Sequence, residues 1–268
     1  MKVLVCGGAG YIGSHMVRRL SRDGLEPVVF DNLSTGHREA VGDAKFVHGD
    51  LLNVAQLREL FARERYDAVM HFCARSLVGE SMLQPYAYYE NNVVGTLNLL
   101  QAMKAAGVDK LVFSSTAAVF GQPESDLIEE SHPRRPINPY GASKLMVETM
   151  LADAARAYGL RSVTLRYFNA AGASEQGDIG ESHEPETHLI PNMLRAATGN
   201  GPALKAFGND YATPDGTCVR DYVHVDDLAD AHARALEYMA ANEGAHAFNL
   251  GNGNGFSVLE MIGAASKV

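Results

Sequence analysis

A tyrosine and a lysine lie four positions apart, at Tyr140 and Lys144, in a segment that predicts a helix over residues 139–158. Side chains at this spacing lie on one face of a helix, one turn apart. A phenol ordinarily titrates near pH ~10, and a cation within ~4–6 Å lowers that pKa by ~1–3 units. The pair therefore indicates proton transfer by Tyr140 with Lys144 as the supporting cation, although unrelated surface pairs show the same spacing.

Three hydroxyl side chains, Ser114, Ser115 and Thr116, follow a predicted strand over residues 110–113. Ligands of open α/β sheets bind at the carboxyl ends of the strands. A hydroxyl at this place would bond a hydroxyl or carbonyl group of a substrate, and the alternative is a plain Ser/Thr turn. The order of strand, hydroxyls and Tyr-x-x-x-Lys is more specific than any of its parts.

A glycine-rich turn lies far upstream of these residues, where Gly7, Gly8, Gly10 and Gly13 follow one predicted strand and open a helix. Side-chain-free residues let backbone N–H groups approach a pyrophosphate, and the helix N-terminus adds partial positive charge. A glycine turn alone is weak evidence, but its β-α-β context makes a dinucleotide site the favoured interpretation.

Two aspartates close the second and third predicted strands, Asp31 and Asp50. Asp31 follows Gly13 by 18 positions, where a carboxylate accepts hydrogen bonds from both ribose hydroxyls and repels a 2′-phosphate. This residue favours NAD over NADP. Asp50 has two open interpretations, a contact with adenine or a cap of the following loop or helix.

The elements that must position these residues alternate along the chain as strand and helix. Strands are predicted at residues 3–6, 27–30, 45–48, 68–72, 110–113 and 161–166, and helices from residue 11 and at 54–63, 86–106 and 139–158. Nearly continuous apolar strands are typical of a parallel sheet that is buried on both faces. We therefore predict an α/β fold with a Rossmann-type, doubly wound parallel sheet.

The regular alternation ends near residue 169. We predict a dinucleotide-binding domain over residues 1–169 and a smaller, irregular substrate lobe over 170–268, with some segments that return to the sheet. Its expected elements are a helix at 189–198, a strand at 204–207 and a helix at 227–241. Ser257 and Glu260 form a capping-box pattern for a last helix. Little sequence follows it, so this lobe is expected to be incomplete.

Composition excludes several classes of function. The 268 residues carry a formal net charge of −9, which argues against a general nucleic-acid binder. The three cysteines form no Cys-x-x-Cys pair, so a disulfide framework is not expected. No segment approaches the ~18–20 apolar residues of a membrane span, and a cytoplasmic location is expected.

With these motifs in order, the chain resembles the extended short-chain dehydrogenase/reductase superfamily, and most of all its sugar-nucleotide 4-epimerase branch. The resemblance covers nearly the whole chain. The matching segments are residues 7–15, 31–34, 49–51, 71–72, 78–81, 89–92, 114–116, 140–144, 165–169, 207–211 and 219–225. The last two are more specific to this branch than the glycine turn.

The resemblance implies an NAD-dependent epimerase that interconverts UDP-glucose and UDP-galactose through a 4-keto sugar. Tyr140 would be the base on the C4 hydroxyl, Lys144 would bond the nicotinamide ribose, and Thr116 would bond the substrate hydroxyl. The implied cofactor-binding residues are Gly7, Gly10, Tyr11, Ile12, Gly13, Asp31, Asn32, Asp50, Leu51, Phe72, Asn91, Tyr140, Lys144 and Tyr167. The implied substrate-binding residues are Thr116, Asn169, His188, Leu189, Phe207 and Arg220.

Two other functions stay open on the same motifs. One is another nucleotide-sugar enzyme, such as a pentose 4-epimerase or a net oxidoreductase. The other is a catalytically silent dinucleotide-binding protein, which would have no need of Tyr140, Lys144 and Thr116 together. Dehydration is disfavoured, because related dehydratases follow the Thr with an Asp-Glu pair, and here Ala117 and Ala118 have no proton to transfer.

The chain departs from the family pattern at three places. Ser76 stands where many members have a lysine, and Arg75 is the neighbouring cation. His188 stands where the family often has a substrate-contacting Asn, so either a substrate contact or a plain surface histidine is expected. The family usually continues for several tens of residues beyond residue 268, with another UDP-binding arginine.

A metal ion and a partner subunit were also considered. His183, Glu184, Glu186 and His188 lack the helical His-Glu-x-x-His spacing, so no metal site is predicted. The resemblance implies a homodimer, and the helices that begin near residues 86 and 139 are the expected interface.

Overall fold

A seven-stranded parallel sheet forms the centre of the molecule in the computed structural model, which describes residues 1–125 and 127–267. In spatial order its strands are β10, β6, β5, β4, β1, β2 and β3. Their bounds are β1 Lys2–Cys6, β2 Glu26–Asp31, β3 Lys45–His48, β4 Ala68–His71, β5 Lys110–Thr116, β6 Arg161–Tyr167 and β10 Ala245–Leu250. All six neighbouring pairs are parallel, which confirms the predicted doubly wound Rossmann-type sheet.

Nine α-helices are assigned within the described ranges. They are α1 Tyr11–Arg22, α2 Val54–Arg63, α3 Val78–Leu83, α4 Pro85–Tyr88, α5 Gly95–Ala106, α6 Pro139–Tyr158, α7 Leu189–Ala197, α8 Val225–Ala241 and α9 Val258–Ala265. Across those residues, no helix combines the length and the apolar character that crossing a membrane requires.

Two apolar cores lie on opposite faces of the sheet. Val3 and Val5 of β1 face the core that α1 and α8 cover, whereas Leu4 and Cys6 face the core with residues of α2, α5 and α6. Successive strand residues point to opposite faces, so one short apolar strand contributes to both cores. Because both faces of the sheet are buried, the strand sequences are continuous apolar runs.

The helix predicted over residues 86–106 is interrupted in the structure. It begins as α4, passes through a π-helical segment at Tyr89–Val94, and continues as α5. A π-helical segment adds a residue to the turn and commonly occurs at functional sites. Here it carries Asn91 and Asn92.

The strand predicted at residues 204–207 is wrong, because those residues take no regular structure. Phe207 is 86% exposed, and the segment has no neighbouring strand to pair with. Two small sheets form instead: β7 Asn169–Ala171 pairs with β9 Tyr222–His224, and β8 Val219–Arg220 pairs with β11 Phe256–Ser257.

Residues beyond 169 also contribute to the main sheet and its cover. β10 pairs with β6 at the sheet edge, and α8 packs against α1. The Ser257 hydroxyl accepts a hydrogen bond from the Glu260 N–H, and the Glu260 carboxylate accepts one from the Ser257 N–H. This is the predicted capping box, and it begins α9.

Candidate active site

The glycine turn between β1 and α1 has backbone packing that only glycine permits. A Cβ on Gly7 would lie 2.7 Å from the Cys73 nitrogen, and one on Gly13 would collide with the Gly7 carbonyl oxygen. Gly7 also has φ +80°, a conformation that favours glycine. The turn therefore brings the start of α1 close to the ends of β1 and β4. Its shape fits a pyrophosphate at the helix N-terminus.

Asp31 lies at the end of β2, 7% exposed, directly beside this turn. Its carboxylate accepts hydrogen bonds from the N–H groups of Ala9, at 2.9 Å, and Leu33, at 2.8 Å. A carboxylate offers about four acceptor positions, so two stay available for ribose hydroxyls. Asp31 thus joins the glycine turn to the loop after β2.

Asn32 and Asp50 lie together at the ends of β2 and β3. The Asn32 amide donates to Asp50 Oδ2 at 2.8 Å, and the Leu52 N–H donates to Oδ1 at 2.8 Å. Asp50 therefore caps the turn that follows it while it lies at the carboxyl edge of the sheet. Both interpretations of Asp50 remain compatible with this geometry.

Other predicted cofactor residues lie at the same edge of the sheet. They differ in burial and in the hydrogen bonds that they already make. The Leu51 side chain is buried in the core, which leaves only its backbone groups for a ligand. The Tyr11 hydroxyl donates to the Gly172 carbonyl at 2.6 Å. Ile12 and Phe72 are partly buried against one core, and the Asn91 amide donates to Asn92 Oδ1 at 2.9 Å.

The start of α6 lies against the end of β5. Asn138 caps the helix by accepting a hydrogen bond from the Gly141 N–H at 2.8 Å, and Pro139 occupies the first turn. A Cβ on Gly141 would collide with the Ala118 carbonyl oxygen. This close approach places Tyr140 beside Thr116. Burial raises the pKa of the Tyr140 phenol, and the Thr116 hydroxyl acts in the opposite direction.

Lys144 lies one turn further along α6 and is 2% exposed. Its Nζ donates to the Ser114 carbonyl at 2.6 Å and lies 6.0 Å from the centre of the Tyr140 ring. Burial lowers the pKa of Lys144 to about 7, although the nearby Cys73 and Glu148 oppose this change. The pair thus has the predicted arrangement of a phenol with a buried amine one turn away.

Tyr167 lies opposite Thr116 in the pairing of β5 with β6. Its hydroxyl shares a short hydrogen bond with the Ser114 hydroxyl. Burial raises the pKa of the Tyr167 phenol, so it is a neutral hydrogen-bonding group at physiological pH. The carboxyl ends of β5 and β6 therefore present Ser114, Thr116 and Tyr167 beside Tyr140.

Asn92 is a buried residue that holds α6 in place through hydrogen bonds. It was not identified as a site residue from the sequence. Asn92 of the π-helical segment donates to the Ser143 hydroxyl at 2.9 Å and to the Arg75 carbonyl at 3.0 Å. The Ser143 hydroxyl in turn donates to the Tyr140 carbonyl at 2.7 Å. The Arg75 side chain pairs with Glu80 at 3.1 Å, and Ser76 beside it is exposed.

Glu148 is a second buried group that the sequence interpretation missed. It follows Lys144 by one turn and accepts hydrogen bonds from the Ser115 hydroxyl at 2.7 Å and from Arg166 Nη2 at 2.7 Å. The side chains of Glu148 and Arg166 are both 4% exposed. The i+4 spacing from Lys144 was the available sequence signal, because it puts Glu148 on the same face of α6.

The predicted substrate residues are not all brought together. The Asn169 amide donates to the Asp221 carbonyl at 2.8 Å, and Asp221 directly follows Arg220 at the end of β8. Arg220 is exposed and donates to the Val219 carbonyl at 2.9 Å. The 86% exposed Phe207 has no described packing against this pair.

His188 immediately precedes α7, which begins at Leu189. Its Nδ1 lies 2.8 Å from Glu181 Oε1 and 2.9 Å from Glu186 Oε1. The bond with Glu181 raises the pKa of His188 to about 9, while partial burial opposes it. His188 is thus part of a polar cluster in the loop before α7. His224 caps α8 by accepting a hydrogen bond from the Asp226 N–H at 3.2 Å.

Comparisons with known proteins identify the family of the chain. The model of the NAD dependent epimerase/dehydratase family matches residues 3–251. The UDP-glucose 4-epimerase of Rhizobium leguminosarum bv. trifolii is 53% identical over 266 residues, which cover 99% of this chain and 81% of the relative. That of Lacticaseibacillus casei is 51% identical over 269 residues and covers 100% and 81%.

Solved structures give the same result. The chain is similar to UDP-glucose 4-epimerase from Brucella ovis in complex with NAD, with a TM-score of 0.97 and 50% identity, over 100% of this chain and 82% of that one. It is also similar to the enzyme from Bifidobacterium longum in complex with NAD+ and UDP, with a TM-score of 0.95, 40% identity, and coverage of 100% and 83%. The protein therefore belongs to the NAD-dependent epimerase/dehydratase family.

Proposed function

We propose that the chain is an NAD-dependent UDP-glucose 4-epimerase, which inverts the configuration at C4 of a UDP-bound hexose. The observation that carries this proposal is the meeting of Tyr140, Lys144 and Thr116 where α6 approaches the end of β5. The names of the relatives, at about half identity over the whole chain, support the same activity.

The residues that would hold NAD fit its chemistry. Gly7 and Gly13 make a turn that any side chain would fill, and Asp31 keeps acceptor capacity for ribose hydroxyls. When bound, NAD supplies reversible hydride acceptance at the sugar C4, which allows inversion with no net oxidation.

The protein's own part in the reaction is proton transfer and orientation. Tyr140 removes the proton from the C4 hydroxyl and later returns it, while Thr116 bonds the same hydroxyl and orients it. A protonated Lys144, near Tyr140, favours the phenolate against the burial that disfavours it. Asn169 and Arg220 would bind the UDP portion, since an arginine fork bonds two phosphate oxygens at once.

Proton NMR of UDP-galactose, with the purified chain and a trace of NAD, tests the proposed activity. We expect UDP-glucose to accumulate far beyond the amount of NAD. Product that stops at the amount of NAD would indicate a net oxidoreductase, and conversion only of a UDP-pentose would indicate a pentose 4-epimerase. A chain that binds NAD but converts no sugar would be the silent dinucleotide-binding protein.

A Tyr140→Phe variant tests the assigned base. The variant should lose at least ~100-fold in turnover and keep most of its NAD binding, because it removes only the hydroxyl group that accepts and returns the proton. Tyr158→Phe is the matched control, since Tyr158 lies at the far, exposed end of the same helix. Unchanged turnover in the Tyr140 variant would contradict the assignment.

We also propose a homodimer, as the resemblance implied, and a cytoplasmic location, as expected from the composition. Exposed apolar side chains on the π-helical segment, α5 and α6 support the dimer: Val94 is 45%, Leu97 43% and Met146 46% exposed. Light scattering after gel filtration should give twice the chain mass, and Leu97→Glu with Met146→Glu should give one chain mass. A wild-type monomer would contradict the dimer, and cell fractionation tests the location.

A further inference from the structure

Four potential metal ligands meet in the loop between β7 and α7. Glu181, His183, Glu186 and His188 each offer one ligand atom, and these atoms all lie within 4.8 Å of one another. The residues are spaced by two, three and two positions, which is not the spacing of ligands on one helix. An irregular loop groups them in space, which is why the sequence pattern alone predicted no metal site.

Both imidazoles aim the same nitrogen at the same pair of carboxylates. Glu181 Oε1 lies 3.4 Å from Nδ1 of His183 and 2.8 Å from Nδ1 of His188. Glu186 Oε2 lies 3.8 Å from Nδ1 of His183, and Glu186 Oε1 lies 2.9 Å from Nδ1 of His188. Ligands in a tetrahedral zinc site lie roughly 3.3–3.5 Å apart, given metal–ligand bonds of about 2.0–2.1 Å. The four distances between these nitrogens and oxygens, from 2.8 to 3.8 Å, lie on both sides of that separation, so the cluster already has about the size of a metal site.

Two buried atoms of the cluster lack a hydrogen bond among the described residues, His183 Nδ1 and Glu186 Oε2. The Glu186 side chain is 1% exposed and that of Glu181 10%. Oε1 of Glu186 is already occupied by the N–H groups of Thr187 and His188, both at 2.8 Å. Oε2 is therefore a buried acceptor aimed into the cluster with nothing bound to it, and such an atom is costly unless a ligand satisfies it.

The charge of the cluster also favours a bound cation. Two buried carboxylates carry two negative charges, and a single protonated histidine would balance only one of them. A divalent cation with two neutral imidazoles balances both and satisfies the two orphan atoms. Imidazole with carboxylate suits zinc and related transition metals, whereas magnesium and calcium prefer oxygen ligands alone. We propose that Glu181, His183, Glu186 and His188 bind one divalent transition metal ion of the zinc class.

The loop is held in place before any ion binds. The Asp178 carboxylate pairs with Arg18 of α1 at 2.5 Å and accepts from the Ser174 hydroxyl at 2.6 Å. His37 bonds the Ser182 carbonyl at 3.2 Å. The ligands therefore lose little freedom on binding. The side chain of His188 is 43% exposed, which gives an ion a path from solvent.

The alternative is a cluster without a metal ion, in which both histidines are protonated and neutralise the two carboxylates. It balances the charge but leaves Nδ1–H of His183 without an acceptor in hydrogen-bonding geometry. Metal content separates the two, because a protonated cluster retains no ion. The measurement needs neither NAD nor a sugar, so its outcome is independent of the proposed epimerase activity.

The test is metal analysis of the full chain, stripped with a chelator, incubated with Zn2+ and dialysed. We expect one zinc per chain, a visible absorption band when Co2+ replaces zinc, and no retained Mg2+. Glu186→Gln, His183→Ala and His188→Ala should each weaken zinc binding by at least ~10-fold. Glu184→Gln is the matched control, because the exposed Glu184 lies in the same loop outside the cluster and should keep zinc.

Thermal unfolding provides a second readout. Zinc should raise the midpoint of the wild type and of Glu184→Gln, and should not raise that of Glu186→Gln. Should the buried Glu186 variant fail to fold, His188→Ala, at a more exposed position, serves the same purpose. A wild type that retains no zinc, or ligand variants that retain it as well as the wild type, would overturn the proposal.

Discussion

At the scale of single residues, the charged forms of Tyr140 and Lys144 stabilise each other. Burial raises the pKa of the phenol and lowers the pKa of the amine to about 7, so each alone is driven toward its neutral form. A cation near a phenolate opposes both changes, because opposite charges favour one another in a poorly solvated site. The 6.0 Å between Lys144 Nζ and the Tyr140 ring is short enough for this coupling.

A Lys144→Met substitution should therefore move the pH dependence of turnover. Without the cation, the Tyr140 pKa rises, so the fraction of phenolate at neutral pH falls and the acidic limb of the profile shifts to higher pH. We expect turnover at pH 7.5 to fall by at least ~100-fold and to recover partly toward pH 9. The UDP-galactose assay across pH measures this, with Lys104→Met as the surface control. A profile with unchanged shape would refute the coupling.

At the scale of elements, the geometry of the site depends on how closely α6 approaches β5. Gly141 permits this approach, since a Cβ there would collide with the Ala118 carbonyl oxygen. Gly141→Ala should push the start of α6 away and separate Tyr140 from Thr116. A displacement of about 1 Å can cost ~100-fold in rate, so kcat should fall by ~10- to 100-fold.

Steady-state kinetics with NAD titration measures the effect of Gly141→Ala, and most of the NAD affinity should remain because the glycine turn lies between β1 and α1 and does not involve α6. Gly263→Ala is the control, since its Cβ would meet no atom within 4 Å and it also lies in a helix. Equal turnover in both alanine variants would show that this close approach does not position the base.

Glu148 and Arg166 join α6 to β6 through a buried ion pair, and Ser115 of β5 joins the same carboxylate. Glu148→Ala leaves the Arg166 guanidinium buried without its partner, which typically costs ~3–5 kcal/mol of unfolding free energy. Urea unfolding should show this loss. Glu59→Ala, which breaks the exposed Glu59–Arg63 pair, should cost far less. Similar losses in the two variants would contradict the structural role of Glu148.

The same elements show what the sequence could predict. Helix α6 was predicted with its observed bounds, because Asn138, Pro139 and Gly159 are local signals at its two ends. Residues 245–250 were not predicted as a strand, since β10 exists through its pairing with β6, a partner more than 80 positions away. Residues 204–207 have an apolar pattern but no partner, so the strand does not form.

The site residues also fall into two groups, those that the sequence identified and those that it missed. Tyr140, Lys144 and Asp31 were identifiable because their spacing and their place after strands carry chemical meaning. Asn92 and Glu148 were missed because their partners, Ser143 and Arg166, are brought near by the folding of other elements. The only local signal for Glu148 is its i+4 spacing from Lys144, and Asn92 has no such signal, so the fold is needed to recognise what these two residues position.

At the scale of the whole molecule, two buried histidines make stability sensitive to acid. Burial lowers the pKa of His71 to about 3 and that of His232 to about 4, so both are neutral in the folded chain. In the unfolded chain a histidine titrates near ~6.5. Between that value and the folded pKa, the unfolded state binds more protons, so stability falls as the pH decreases from about 6.5 to about 4.

A His232→Gln variant should reduce this acid sensitivity. Glutamine keeps a donor for the Leu228 carbonyl, which His232 Nδ1 bonds at 2.8 Å, but it has no proton to bind in the unfolded state. Each histidine contributes at most ~1.4 kcal/mol of unfolding free energy per pH unit, so the slope between pH 6 and 4.5 should fall by up to that amount. Urea unfolding at several pH values measures the slope, and His48→Gln, at an exposed position, should leave it unchanged. Identical slopes for the wild type and His232→Gln would mean that His232 is protonated in the folded state.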